Sequence, residues 1–247
     1  MPILVEVAVD AVDSAEAAQG GGAERVELCA GLSEGGTTPS AGVMAVCRQR
    51  LAIPVFVLIR PRPGDFLYTD AELEVMRSDI AIARDAGADG IVTGVLHGDG
   101  TVDVHRTQAL VEAARPLPVT FHRAFDFTRD AAEALGAVAQ TGVTRVLTSG
   151  RAGTALDGIV TLTALVRSAP RGLTIVAGGG ITEDNVTRIV GATGVREVHV
   201  RAATRRDSAM AYRRADLSLA KAAVGEYARA ATDRERVAAL VATLADR

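Results

Sequence analysis

Four times the chain passes from a glycine through a small and a polar residue into a short β-branched run. These are Gly22-Ala23-Glu24-Arg25-Val26, Gly87-Ala88-Asp89-Gly90-Ile91, Gly142-Val143-Thr144-Arg145-Val146 and Gly194-Val195-Arg196-Glu197-Val198. Each glycine follows an alanine-rich, helix-like stretch, where a residue without a Cβ suits the left-handed turn that ends a helix. Each run that follows has the length and composition of a strand. Residues 54–59, 118–121 and 173–177 add three further strand-like runs, and residues 4–9 an eighth. The strands expected are therefore near 4–9, 25–29, 55–60, 90–93, 119–123, 145–149, 174–178 and 197–200. Their spacing of about 20 to 35 residues suits strand, loop, helix, loop.

Strand and helix alternate along all 247 residues with no Pro/Ser/Gly-rich linker, so one domain over 1–247 is expected. Eight βα units in about 250 residues is the size of a closed parallel (β/α)8 TIM barrel. An open doubly wound sheet accommodates the alternation as well, with no reason to stop at eight. The chain is 48% apolar and only 3% aromatic, so its core must be built from Val, Ile, Leu and Ala, the residues that fill barrel interiors. Helices are expected near 13–20, 40–50, 73–86 behind a Thr69/Glu72 capping box, 102–114, 130–140 and 156–168. Another begins with Thr182, and a last one spans about 232–246. Residues 201–214, rich in Arg, read as an irregular loop.

No apolar run approaches the roughly 20 residues of a membrane span, and the amino terminus enters a strand at once, so a soluble, cytoplasmic protein is expected. Two cysteines are too few for a disulfide framework. A net charge of −3 and the scarcity of aromatic platforms give no case for nucleic acid binding. The single lysine, Lys221, follows the last barrel strand, which argues against Schiff-base chemistry from a strand.

In a parallel barrel, function gathers at the carboxyl ends of the strands, and those ends are polar here. Glu6, Glu27 with Cys29, Arg60, Thr93, His122, Thr148 and the Glu197/His199 pair close strands one to six and eight. An unpaired carboxylate inside a barrel costs several kcal/mol unless ligand, metal, arginine or water compensates. Two readings follow: Glu6 and Glu27 pair permanently with Arg60 and Arg123, or they serve chemistry. In the second, Glu6 or Glu27 is a general base, His122 the partner acid, and Arg60, Arg62 and Arg123 stabilise negative charge. Arg60 and Arg62 sit on proline-stiffened backbone suited to a phosphate or carboxylate, or are plain surface charge. Gly178-Gly179-Gly180 before Thr182 offers backbone amides to an anion where barrels often bind phosphate, with the hydroxyls of Thr148 and Ser149 nearby. A small anionic ligand is the combined expectation. Glu6, Glu27, His122 and His199 as chelators of zinc or manganese are a variant.

The blocks Arg25-Val26-Glu27-Leu28-Cys29, Glu34-Gly35-Gly36-Thr37-Thr38-Pro39-Ser40, Ile59-Arg60-Pro61-Arg62, Gly64-Asp65-Phe66, Val119-Thr120-Phe121-His122-Arg123-Ala124-Phe125-Asp126 and Arg145-Val146-Leu147-Thr148-Ser149-Gly150 closely resemble the CutC family of copper homeostasis proteins. The resemblance runs from the first strand to about Arg214. It implies a TIM barrel, a cytoplasmic homo-oligomer, a role in copper homeostasis, and Cu(I) binding through cysteine, here Cys29 and Cys47. Its motif positions are Glu6, Glu27, Cys29, Arg60, Arg62, Asp65, Tyr68, His122, Arg123, Asp126, Thr148, Ser149, Gly179, Gly180 and His199. Where relatives commonly have Ser-Ala-Arg, this chain has Arg201-Ala202-Ala203. A Cu(I) site wants two or three soft sulfur ligands close together. Spacing alone leaves Cys29 and Cys47 open between such a site and two ordinary half-buried thiols.

Overall fold

The computed structural model describes residues 2–214, 216–217 and 225–245; Lys221 and Asp246 lie outside the described residues. Eight parallel strands close on themselves: β1 (Leu4–Val9), β2 (Arg25–Leu28), β3 (Val55–Leu58), β4 (Gly90–Thr93), β5 (Val119–Phe121), β6 (Arg145–Thr148), β7 (Thr174–Gly178) and β8 (Glu197–Val200). Pairing of β8 with β1 removes the free edges that an open sheet would keep. The barrel is wrapped by α1 (Val12–Gly20), α2 (Ala41–Arg50), α3 (Asp70–Asp85), α4 (Val104–Ala114), α5 (Ala131–Ala139), α6 (Ile159–Ser168) and α7 (Val186–Thr193). Among the described residues no helix is long and apolar enough to cross a membrane.

Two apolar cores result from the period of two along each strand. Val5, Val7, Val26, Leu28, Val57, Ile91 and Val146 face outward and pack against the helices. The opposite parity faces the lumen, and the register puts Glu6 beside Arg25 and His199, Ala8 beside Glu27, Glu27 beside Phe56, and Gly178 beside His199. Cys29, Phe56, Leu58 and Val92 form a small apolar cluster inside the barrel. The Phe56 ring fills the lower lumen between the guanidinium groups of Arg25 and Arg145, 4.9 and 4.8 Å from its centroid. It fits because β4 opens with a glycine: a Cβ on Gly90 would lie 2.5 Å from the ring.

The stretch expected to be an irregular loop is partly a strand. Residues Ala203–Asp207 form β9, paired antiparallel with β10 (Ala228–Thr232). Most of β9 is exposed, so no alternation marks it in the sequence. Helix α8 (Arg234–Ala245) follows and buries Val237, Leu240 and Leu244. The expected helix at Thr182 begins four residues later, at Val186. The Asn185 carboxamide accepts from the Thr182 N–H (2.9 Å) and donates to the Gly180 carbonyl (2.8 Å), which closes a turn ahead of the helix.

Candidate functional site

Strand parity brings Glu6, Glu27, Cys29, Arg60, His122 and His199 toward one mouth. Glu6 and Glu27 are buried, and neither meets Arg60 or Arg123. The permanent partner of Glu6 is Arg25, which also binds Glu197, and Arg145 Nε lies 3.3 Å from the same Glu197. The lower lumen is thus a charge-balanced plug in which two arginines face two carboxylates. Above it, His199 Nδ1 hydrogen-bonds Glu6 Oε1 at 2.7 Å, and His199 Nε2 stands 3.7 Å from Glu27 Oε2.

This stacking sets the charge states. Burial works against the Glu6 carboxylate, but His199 and Arg25 outweigh it and hold its pKa down to about 2. Burial also disfavours a charged His199, yet the carboxylates of Glu27 and Glu6 prevail and raise its pKa. Among the described residues Glu27 has no arginine in contact, and burial raises its pKa, only partly countered by His199. A buried carboxyl with a raised pKa thus stands beside an imidazole whose pKa is also raised.

The second histidine is held differently. His122 Nδ1 accepts the Ala124 N–H at 3.2 Å, so in the neutral ring the proton sits on Nε2. Burial and the nearby Arg60 charge push its pKa down to about 3. His122 is therefore a neutral donor, and the partner-acid role expected of it does not suit that state. Arg60 is equally fixed: its guanidinium donates to the carbonyls of Glu34, Gly36 and Gly64 at 3.3, 2.7 and 2.7 Å. Its charge faces the mouth while most of its donors hold loops together.

Arg123 has the freer guanidinium, with 41% of its side chain exposed. Asp126 receives its Nε (2.7 Å) together with the Thr148 hydroxyl and the Ser149 and Arg151 amides; Ser149 Oγ accepts from Arg123 Nη2 (3.1 Å). Asp126, Thr148 and Ser149 are thus the mount that aims Arg123. Thr148 has outward parity and reaches the mouth only through Asp126. Arg123 lies against the glycine loop, since a Cβ on Gly179 would be 3.3 Å from its Cζ, and Gly179 and Gly180 have φ of 103° and 68°. A cleft of about 510 Å³ opens here, lined by Arg123, Gly179, Gly180, His199, Arg201 and Arg205 among others. It shares Ala8, Leu32, Arg123 and His199 with a deeper cavity of about 140 Å³ that is also lined by Glu27, Arg60, Phe66 and His122. Gly178 has the lumenal parity and leaves space for Leu147 and His199, whose Cδ1 and Cβ would lie 2.6 and 3.2 Å from a Gly178 Cβ. Arg62 stands apart from both cavities. It binds Asp65 and Glu72 and braces the first turn of α3.

Residues 3–204 match the sequence model of the CutC family. The human "Copper homeostasis protein cutC homolog" is 48% identical over 238 residues, covering 96% of this chain and 87% of that protein. The chain belongs to the CutC family. A CutC family protein of Chromobacterium violaceum is 44% identical, with 97% of each chain covered. The crystal structure of a copper homeostasis CutC from Streptococcus agalactiae superposes with a TM-score of 0.77 at 35% identity, covering 80% of this chain and 98% of that one. The family name carries a link to copper, and the donor set can be tested against it. Cys29 lies in the lumen and Cys47 on the buried face of α2 in the outer layer, so the two thiols are on opposite sides of the strand wall. Burial raises the pKa of both, that of Cys29 strongly and further because of Glu27, which disfavours the thiolate a soft metal requires. Among the described residues, no three His, Cys, Asp or Glu side chains are grouped to hold a metal ion. The chelate of Glu6, Glu27, His122 and His199 does not form, because Glu6 and His199 are bonded to each other and His122 Nδ1 is occupied by a backbone amide.

Arg25, Arg145 and Glu197 hold the site from below, and sequence reading did not give the two arginines that role. An arginine opening a strand reads as a solvated junction. The signal available was parity, because Arg25 alternates with Glu27 and Cys29.

Proposed function

We propose that this CutC-family barrel is an enzyme that performs acid/base chemistry on a small phosphorylated or carboxylated compound at the carboxyl mouth. The observation that carries this reading is Glu27: a buried carboxyl with no arginine in contact among the described residues, 3.7 Å from a His199 that Glu6 orients from behind. In this scheme Glu27 exchanges a proton with the substrate. His199 stabilises the ionised Glu27, and Glu6, held by Arg25, keeps His199 charged and fixed in one orientation. Arg123, mounted on Asp126, and the Gly179–Gly180 backbone receive the anionic group. Two free cysteines are compatible with a reducing, cytoplasmic location.

Thermal shift across a panel of phosphorylated and carboxylated metabolites tests it. A cognate class raises the melting temperature of the wild type and fails to do so in Arg123→Ala. Glu27→Gln still binds but no longer converts the compound. The reading fails when no anion stabilises the wild type, or when Arg123→Ala responds equally.

A second reading is copper binding, favoured by the relatives' names and by one observation: the Cys29 thiol is inside the barrel, 3.5 Å from Glu27 Oε2. A two-thiol site does not suit this geometry. Copper taken up here as cargo would meet a single sulfur, so Cu(I) affinity should fall in Cys29→Ser and persist in Cys47→Ser. Equal affinity in the wild type and Cys29→Ser refutes it.

A further inference from the structure

The deeper cavity contains a donor that none of the described residues uses. His122 is 5% exposed, and its Nε2 has no hydrogen-bond partner among the described residues. A buried polar atom without a partner is costly, so such atoms call for a ligand or an ordered water. The ring is not free to turn away. Its Nδ1 is tied to the Ala124 amide, Phe66 packs against it with centroids 5.0 Å apart, and it occupies space that a Cβ on Gly94 would invade at 2.8 Å from Nδ1. Phe66 also carries the Arg60 guanidinium, 5.1 Å from its centroid on Cζ. One aromatic ring therefore packs against both a neutral N–H donor and a fixed cation, and all three line the cavity that Glu27 lines.

A fixed neutral donor next to a fixed positive charge suits an oxygen that gains negative charge during a reaction. A carboxylate base lining the same small cavity suits removal of a carbon-bound proton. We propose that His122 Nε2–H binds a substrate carbonyl oxygen while Glu27 takes the proton from the adjacent carbon, so that the substrate is a small α-hydroxy or α-keto carbonyl compound with an anionic tail. The C–H electron pair becomes the C=C bond of an enolate, the carbonyl π pair moves onto oxygen, and the proton resides on Glu27. Return of that proton to the same carbon restores both partners; delivery to the former carbonyl carbon of an α-hydroxy compound also passes the hydroxyl proton to the enolate oxygen, so that the neighbouring carbon becomes the carbonyl. The charge on oxygen is met by His122 Nε2–H and the Arg60 field, and the tail by Arg123 and Gly179. The low pKa of His122 agrees, because a ring that stays neutral donates without competing as an acid. This inference rests on the acid/base reading above and names its substrate class.

Titration calorimetry on the full chain with two probes tests it: oxalate, a planar mimic of an enolate, and inorganic phosphate. The wild type is expected to bind both. His122→Phe, which keeps a ring against Phe66, weakens oxalate by about tenfold or more and leaves phosphate within about twofold. His122→Gln, which restores an N–H donor, recovers part of the loss. Equal oxalate affinity in the wild type and His122→Phe overturns the proposal. Phosphate binding without oxalate binding in the wild type overturns it too, while leaving the acid/base reading intact; binding of neither probe removes both. Nitrogen NMR of the wild-type histidines gives an independent check where a variant does not fold. A proton on Nδ1 of His122 in place of Nε2 overturns the proposal.

Discussion

Glu27 stands 3.7 Å from His199 Nε2, beyond hydrogen-bond reach, so the two interact through charge and leave a lone pair of Glu27 free for a ligand. The charge on Glu27 is nonetheless a main reason that His199 titrates above its ordinary range. Glu27→Gln should therefore lower the His199 pKa, read by NMR titration of its ring protons, and an unchanged value would contradict the electrostatic account. His122 supplies a pH dependence of the opposite kind. Folded, it resists protonation down to about pH 3, whereas unfolded it binds a proton near 6.5. Between those values the unfolded chain holds the extra proton, so acid favours unfolding and stability falls as pH drops from 6.5 toward 3. Down to pH 4.5 the loss is on the order of 2 kcal/mol. Glu6, depressed to about 2, adds its own loss only below about 4.5, while the raised His199 favours folding fully below 6.5 and loses that contribution as pH rises through its folded value. Urea melts of the wild type and His122→Phe at pH 6.5 and 4.5 should show a smaller drop in the variant. Most of the mouth was legible because polar residues end strands at one parity. What could not be read was allegiance: only coordinates reveal that Glu6 belongs to Arg25, that Arg62 belongs to α3, and that Asp126 serves Arg123.

At the scale of elements, the glycine junctions carried the information. Gly22, Gly87, Gly142 and Gly194 all take positive φ, and β2, β4, β6 and β8 begin three residues after each. The capping box was equally plain, with Thr69 Oγ1 accepting from the Glu72 amide and Glu72 from the Thr69 amide. Alternation with the period of a strand or helix is a local signal, and the barrel repeats it eight times. The β9–β10 pair has no such signal, since its partners are separated by some twenty residues and β9 is largely exposed. Where elements meet at the mouth, packing is close enough to transmit a change. Gly158 caps α6, and a Cβ there would lie 1.8 Å from the Ser149 carbonyl oxygen. Gly158→Ala must push α6 away from the end of β6 and displace Ser149, whose hydroxyl supports Arg123. The expected cost is about 1–3 kcal/mol by chemical denaturation, accompanied by weaker inorganic phosphate binding. Loss of stability with phosphate affinity unchanged would separate Arg123 from its mount.

For the whole molecule, closure couples the beginning of the chain to its end. β1 pairs with β8 from Leu4↔Glu197 to Val7↔Val200, and α8 extends that junction on the outside. Arg234 donates to the Gly20 carbonyl at the end of α1, and Gly21 has no Cβ because Val237 fills the space, 2.6 Å from where one would be. Leu240 is 1% exposed on the face α8 buries. Leu240→Ala should therefore cost about 2–5 kcal/mol through lost burial and the cavity left behind. The mode of opening follows from topology. A barrel strand is held on both sides, so loosening α8 cannot free β8 alone without also releasing the hydrogen bonds of β1. In native-state hydrogen exchange, the amides of β1 and β8 should lose protection by the same free energy in Leu240→Ala, with those of β3 to β5 the last to follow. Independent exchange of β8, with β1 still protected as in the wild type, would mean that the closing seam is not a cooperative unit. The support of His199 by Glu6 crosses that same seam, so the variant should also move the His199 pKa toward its ordinary value as the 2.7 Å contact is lost in the opened fraction.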